Sequence, residues 1–163
     1  MTTISPPVEF APILPIGFHR LELGELRCLC VERFPTSATR PAIMTGLLEV
    51  LGRLHRAGVH VEVWVNGSFM TRKQDPRDVD IVLRVPAELF EKGTDEQRAA
   101  LQWVEANQKG AHHCDSYLFP VFPPGDEREV LNDYNHAYWI RQFGFSRGQE
   151  MKGIAVLHSG EVL

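Results

Sequence analysis

Residues Val61–Val85 read VEVWVNGSFMTRKQDPRDVDIVLRV, and this stretch decides the fold. It opens as a strand, breaks at Asn66-Gly67-Ser68, crosses a short polar segment and closes as a second strand beginning Asp78-Val79-Asp80. On the closing strand Val79, Ile81, Leu83 and Val85 alternate with Asp78, Asp80, Val82 and Arg84. A period of two sends Asp78 and Asp80 to one face, their Cα atoms roughly 6.6 Å apart. Two neighbouring carboxylates repel, so both stay ionised only with a cation or a basic partner beside them. Hard divalent cations such as Mg2+ favour one or two carboxylates together with phosphate oxygens. The competing reading is a solvated strand face on an ordinary sheet.

The Asn66-Gly67-Ser68 turn favours the first reading. Glycine lets a backbone approach a ligand closely, and free N–H groups at a turn entering a helix attract anions. The Ser68 hydroxyl can donate to a phosphate oxygen. Arg72, Lys73 and Arg77 follow in the intervening loop, as cations for the outer phosphates of a nucleotide or as ordinary surface charge. A phosphate cradle followed by paired carboxylates is what metal-assisted phosphoryl or nucleotidyl transfer requires.

Gly67-Ser68, nine intervening residues and then Asp78-Val79-Asp80-Ile81 resemble the signature of the DNA polymerase β nucleotidyltransferase superfamily, and its small stand-alone bacterial members, the minimal nucleotidyltransferases. The resemblance implies a nucleotidyltransferase fold: an α/β domain with a short, mixed, mostly antiparallel sheet and helices packed mainly on one side. It implies that Asp78 and Asp80 hold two Mg2+ ions, with Mn2+ as a substitute, and that Gly67 and Ser68 bind the nucleoside triphosphate donor. In this superfamily a third carboxylate comes from a later strand. Asp115 answers to it, completing the metal site or taking the proton of the attacking hydroxyl. Minimal nucleotidyltransferases often silence a toxin protein by nucleotide addition, which implies a role in a toxin–antitoxin or phage-defence pair. The acceptor stays open between a protein, an RNA end and a small molecule. The alternative is a catalytically inactive relative that binds a nucleotide or a partner protein.

The rest of the chain sets bounds. Its 163 residues suit one ordinary domain, and a formal charge of −4 argues against an extended surface for duplex nucleic acid. Cys28, Cys30 and Cys114 form no CxxC pair, which suits reduced thiols and a cytoplasmic location. No run approaches the ~18 apolar residues of a membrane span. The opening, broken by Pro6, Pro7, Pro12 and Pro15, has no basic start and does not read as a signal peptide. Residues 1–20 are expected to form a proline-rich arm, extended over the domain or disordered, with residues 21–163 forming the domain itself.

Within that domain, residues 21–34 fit a short helix weakened by Gly24. Residues 36–57 carry an apolar stripe at Ile43, Leu47, Val50, Leu51 and Leu54, with Pro41 near the start and Gly58 just past the end. Two further helices are expected at 86–90 and 94–109, the second capped by Thr94, and Glu105, Gln108 and Lys109 read as its solvent face. His112-His113-Cys114-Asp115 tempts a zinc reading, but adjacent strand residues point to opposite faces and cannot share one ion. A third strand follows from Asp115, a helix over 127–143, and a last strand at Ile154–Leu157, expected at the sheet edge. An N-terminal Leu14-Pro15-x-Gly17 segment, the central motif and a closing Lys152-Gly153 strand resemble one group of bacterial nucleotidyltransferase-like proteins. That likeness puts Lys152 forward as a phosphate contact.

Overall fold

A computed structural model describes residues 8–161. Five strands form one mixed sheet: β1 (Gly17–Arg20), β2 (Glu62–Asn66), β3 (Val79–Pro86), β4 (Cys114–Val121) and β5 (Gly153–His158), in the order β1-β5-β2-β3-β4. The centre is antiparallel, since β2 runs against both β3 and β5. The outer junctions, β1 with β5 and β3 with β4, are parallel. The chain returns from β3 to β4 through α3 (Ala87–Lys92), α4 (Asp95–Glu105) and α5 (Lys109–His112). A crossover of this length is what parallel neighbours need.

The period-two pattern of β3 sorts its side chains as expected. Val79, Ile81, Leu83 and Val85 join Val63 and Val65 of β2 on one face, in the main core. Helix α2 (Arg40–Arg56) covers that face with Ile43, Leu47, Val50, Leu51 and Leu54, helped by Leu101 and Val104 of α4. Gly58 follows α2 with φ +71° and donates its N–H to the His55 carbonyl at 2.9 Å, a left-handed stop that suits glycine. Thr94 caps α4 reciprocally with Gln97. The second face buries a smaller cluster, Trp64, Val82, Phe119, Ile154 and Val156, under α6 (Leu131–Phe143). Among the described residues, helices therefore lie mainly on one face, with α6 on the other.

One expectation is corrected: β5 is not at the sheet edge but lies between β1 and β2, and Gly17–Arg20, the end of the extended arm, forms the edge strand. Gly153 explains both, because a Cβ there would overlap the Pro15 carbonyl and Leu14 side chain. Glycine lets the arm cross the start of β5 and pair alongside it, Gly17 opposite Gly153. Residues 8–16 do lie over the domain: Leu14 is buried, and the Ile13 N–H donates to the Met70 carbonyl at 2.9 Å. Pro6, Pro7 and the rest of 1–7 fall outside the described residues. The expected helix at 21–34 is the short α1 (Leu23–Arg27), which loosens into a π-helical turn, Cys28–Glu32.

Arg40, at the start of α2, is fully buried. Its guanidinium donates to the carbonyls of Cys30 (2.8 Å), Phe69 (2.8 Å), Thr71 (2.6 Å) and Lys73 (2.7 Å), and it lies over the Phe34 ring. One planar donor fork thus fixes the π-helical turn and the segment that follows Gly67-Ser68. Arg40→Ala removes all four bonds and strands buried carbonyls, so it should cost about 3 kcal/mol or more in urea unfolding. A loss under about 1 kcal/mol would mean that these carbonyls find other partners.

Candidate functional site

Strand register builds the site. Asn66 at the end of β2 pairs with Asp80 of β3, and Asp80 pairs with Asp115 of β4. The three side chains share the α6 face of the sheet, and Asp78 precedes Asp80 by the two residues that return it to that face. Three carboxylates thus meet in one corner.

The corner is neutralised from within the chain. Lys109, the first residue of α5, places its Nζ 3.1 Å from Asp78 Oδ2 and 3.2 Å from Asp115 Oδ2. Asn107, at φ +66°, donates from Nδ2 to Asp115 Oδ1 at 2.7 Å and accepts the Lys109 N–H at 2.9 Å. For Asp115, burial would raise the carboxyl pKa, but hydrogen bonds from Asn107, Tyr117 and Lys109 outweigh it and hold the group below its usual range. Hydrogen bonds to Asp78 and Asp115 hold the Lys109 ammonium well above its ordinary value. Asp80 has no such partner. Burial first, then the charges of Asp78 and Asp115, push its carboxyl up to about 6, against smaller pulls from Lys152 and Lys109.

Gly67 and Asn66 fix the edge of this corner. Gly67 has φ +85° and ψ −167°, and a Cβ there would overlap Asp80 Oδ2, so only glycine leaves room for the carboxylate. Its N–H is taken by Asn66 Oδ1 at 2.9 Å. The Asn66 amide is buried and donates to the carbonyls of Phe143 and Gly153. It ties the end of α6 and the start of β5 to the end of β2. Between α6 and the sheet lies a cavity of about 250 Å3 that includes Asp80, Gly67, Lys152, Tyr117, Tyr138 and Gln142 in its lining. Burial lowers the pKa of Lys152, partly offset by Asp80 and Glu9.

The structure therefore brings together Asp78, Asp80, Asp115, Gly67 and Lys152. It does not bring the other expected phosphate contacts to the cavity lining. Ser68 opens a 3-10 turn, Ser68–Met70, outside that lining. Arg72 and Arg77 are exposed, and the Lys73 ammonium sits 5.9 Å from the Phe10 ring. Arg40 explains why, since it draws the 69–73 backbone toward α2. Lys109, read from the sequence as plain solvent face, is exposed as expected but pairs with Asp78 and Asp115, while Gln108 beside it is buried, which corrects the same reading. Nothing in the spacing of Lys109 betrays its role, because α4 ends at Glu105 and the chain turns at Asn107 before α5 begins. His112 pairs with Glu49 at 2.7 Å and Cys114 is buried in the core, so the His-His-Cys-Asp run scatters.

A protein-family model described as a family of unknown function, DUF6932, matches residues 6–158. The chain belongs to DUF6932. No curated protein and no solved structure matches it. The DUF6932 match spans the N-terminal crossing segment, the carboxylate corner, Lys109 and Lys152 together.

A divalent cation held between Asp78 and Asp115 would have to displace Lys109. The position between Asp78 and Asp115 is filled by the Lys109 ammonium, and among the described residues no three His, Cys, Asp or Glu side chains gather as metal ligands.

A pH dependence follows from Asp80. Its carboxyl holds a proton more tightly in the folded state (about 6) than at its ordinary 3.8, so the folded chain binds more protons between those values. Stability from this group is therefore lost as pH rises through that window, by about 2–3 kcal/mol in all. Asp80→Asn should remove that loss. In urea unfolding from about pH 4 to 7, the variant should gain on the natural chain as pH rises. Parallel curves would show Asp80 already ionised at the acid end.

Proposed function

We propose that this DUF6932 domain has the nucleotidyltransferase fold and uses it to bind a nucleoside phosphate, without committing its carboxylates to transfer. The observation that carries this reading is Lys109. A side chain of the same chain supplies the positive charge that a catalytic cation would bring to Asp78 and Asp115. The phosphates would meet two ammonium groups at this corner, Lys109 and the largely buried Lys152. Burial pushes the Asp80 carboxyl up to about 6, so its repulsion of a phosphate falls only as pH drops through that value.

A second reading is favoured by the register itself. Asp78, Asp80 and Asp115 meet in one corner, as three carboxylates of a transferase would, and Lys109 is 56% exposed and free to turn away. On that reading the protein moves a nucleoside monophosphate from a triphosphate to an acceptor, a toxin protein or an RNA end.

Thermal unfolding with each of the four ribonucleoside triphosphates, with and without Mg2+, separates the two. A nucleotide at 100 times its Kd stabilises by about 2.7 kcal/mol. The binding reading expects a shift that survives removal of Mg2+ and is lost in Lys152→Ala. A shift that needs Mg2+ and disappears in Asp78→Asn would favour transfer instead. No shift with any of the four contradicts both.

A further inference from the structure

The remaining wall of the cavity is aromatic. Trp139 of α6 is locked by its neighbours, with Phe119 at 6.2 Å and Phe143 at 5.8 Å between ring centroids. Tyr117 of β4 lies 5.4 Å from Trp139, and Tyr138 lies 5.2 Å from it, nearly perpendicular. Both tyrosines line the cavity, yet they are 41% and 47% exposed. Two large rings left half in water beside a rigid indole do little for the core. They do offer faces on which a flat ligand can stack. Gln142, one turn after Tyr138 on α6, is exposed and carries an amide with donors and an acceptor into the same lining. Asp80 and Lys152 bring the charged groups to that lining.

We infer that this cavity is a base-binding slot: the heteroaromatic ring of a nucleoside phosphate stacks on Tyr138 and Tyr117, and the Gln142 amide reads its polar edge. The inference rests on the nucleotide-binding reading above and narrows it, since a bare polyphosphate has no ring to stack. Pockets for drug-sized ligands run to roughly 300–1,000 Å3; a cavity of about 250 Å3 falls below that range, so it takes only the base end of a nucleotide, with the phosphates outside toward the carboxylate corner. An amide can pair bidentately with a base edge that shows one donor and one acceptor, as adenine does. The slot is assembled from β4 and α6, so it depends on Asn66, which ties the end of α6 to β2.

Calorimetric titration of the full chain with ATP, adenosine and tripolyphosphate tests this, with Mg2+ present throughout. Stacking losses on alanine substitution correspond to roughly five- to 150-fold in affinity. Tyr138→Ala should therefore weaken ATP and adenosine by about tenfold or more and leave tripolyphosphate unchanged. Tyr138→Phe, which keeps the ring, should stay within about twofold of the natural chain. Gln142→Leu gives a second variant that keeps the helix and removes only the amide, and it should narrow the preference for ATP over tripolyphosphate. If ATP and tripolyphosphate bind alike and neither variant changes ATP affinity, the slot is wrong while the phosphate-binding reading stands. If neither ATP nor adenosine binds, the slot and the nucleotide reading fall together.

Discussion

Three carboxylates on adjacent strands cannot stay ionised together without positive charge, and the structure around them answers that constraint. Asp78 and Asp115 share the Lys109 ammonium, while Asp80, deeper and less well partnered, is left with a raised pKa. The Lys109 bridge is exposed, so its worth to stability is small and salt-dependent. Its consequence is positional. It occupies the space between two carboxylates from different strands, and Asn107 holds both ends of the arrangement.

Distant parts of the chain converge on this corner. Asn66 gathers the end of α6 and the start of β5, and Gly67 makes room for the Asp80 carboxylate. Gly153 lets the N-terminal segment cross and become β1, and the Glu9 carboxylate accepts from Gly148 N–H and Ser146 Oγ in the loop ahead of β5. The Leu14-Pro15-x-Gly17, Gly67-Ser68 and Lys152-Gly153 pieces are thus parts of one construction. Arg40 stands behind it, pinning the segment after the turn, whose basic residues lie outside the cavity lining.

Much of this was legible from residue order. The alternation on β3 placed Asp78 and Asp80 on one face, the stripe from Ile43 to Leu54 defined α2, and Asp115 fell on a strand beside Asp80. These are local periodicities, and local periodicity survives folding when one face is buried. What escaped depends on long-range register. Four residues at Gly17–Arg20 are too few to show a pattern, and β5 becomes interior only because they pair with it. Lys109 looked like the tail of one long helix; a break at Asn107, with positive φ, restarts the chain so that this exposed lysine reaches Asp78 and Asp115. Arg72, Lys73 and Arg77 lie outside the cavity lining, and periodicity could not show that, because buried Arg40, about thirty residues upstream, fixes where the Thr71–Lys73 backbone runs.

The central claim is that Lys109 stands in for a cation at this corner. Titrating Mn2+ into the natural chain and into Lys109→Ala, followed by the electron paramagnetic resonance of free Mn2+, tests it directly. Binding to the natural chain should be weak, tighter by about tenfold or more in the variant, and the gain should vanish when Asp115→Asn is added. Equal affinity in the natural chain and in Lys109→Ala would contradict it.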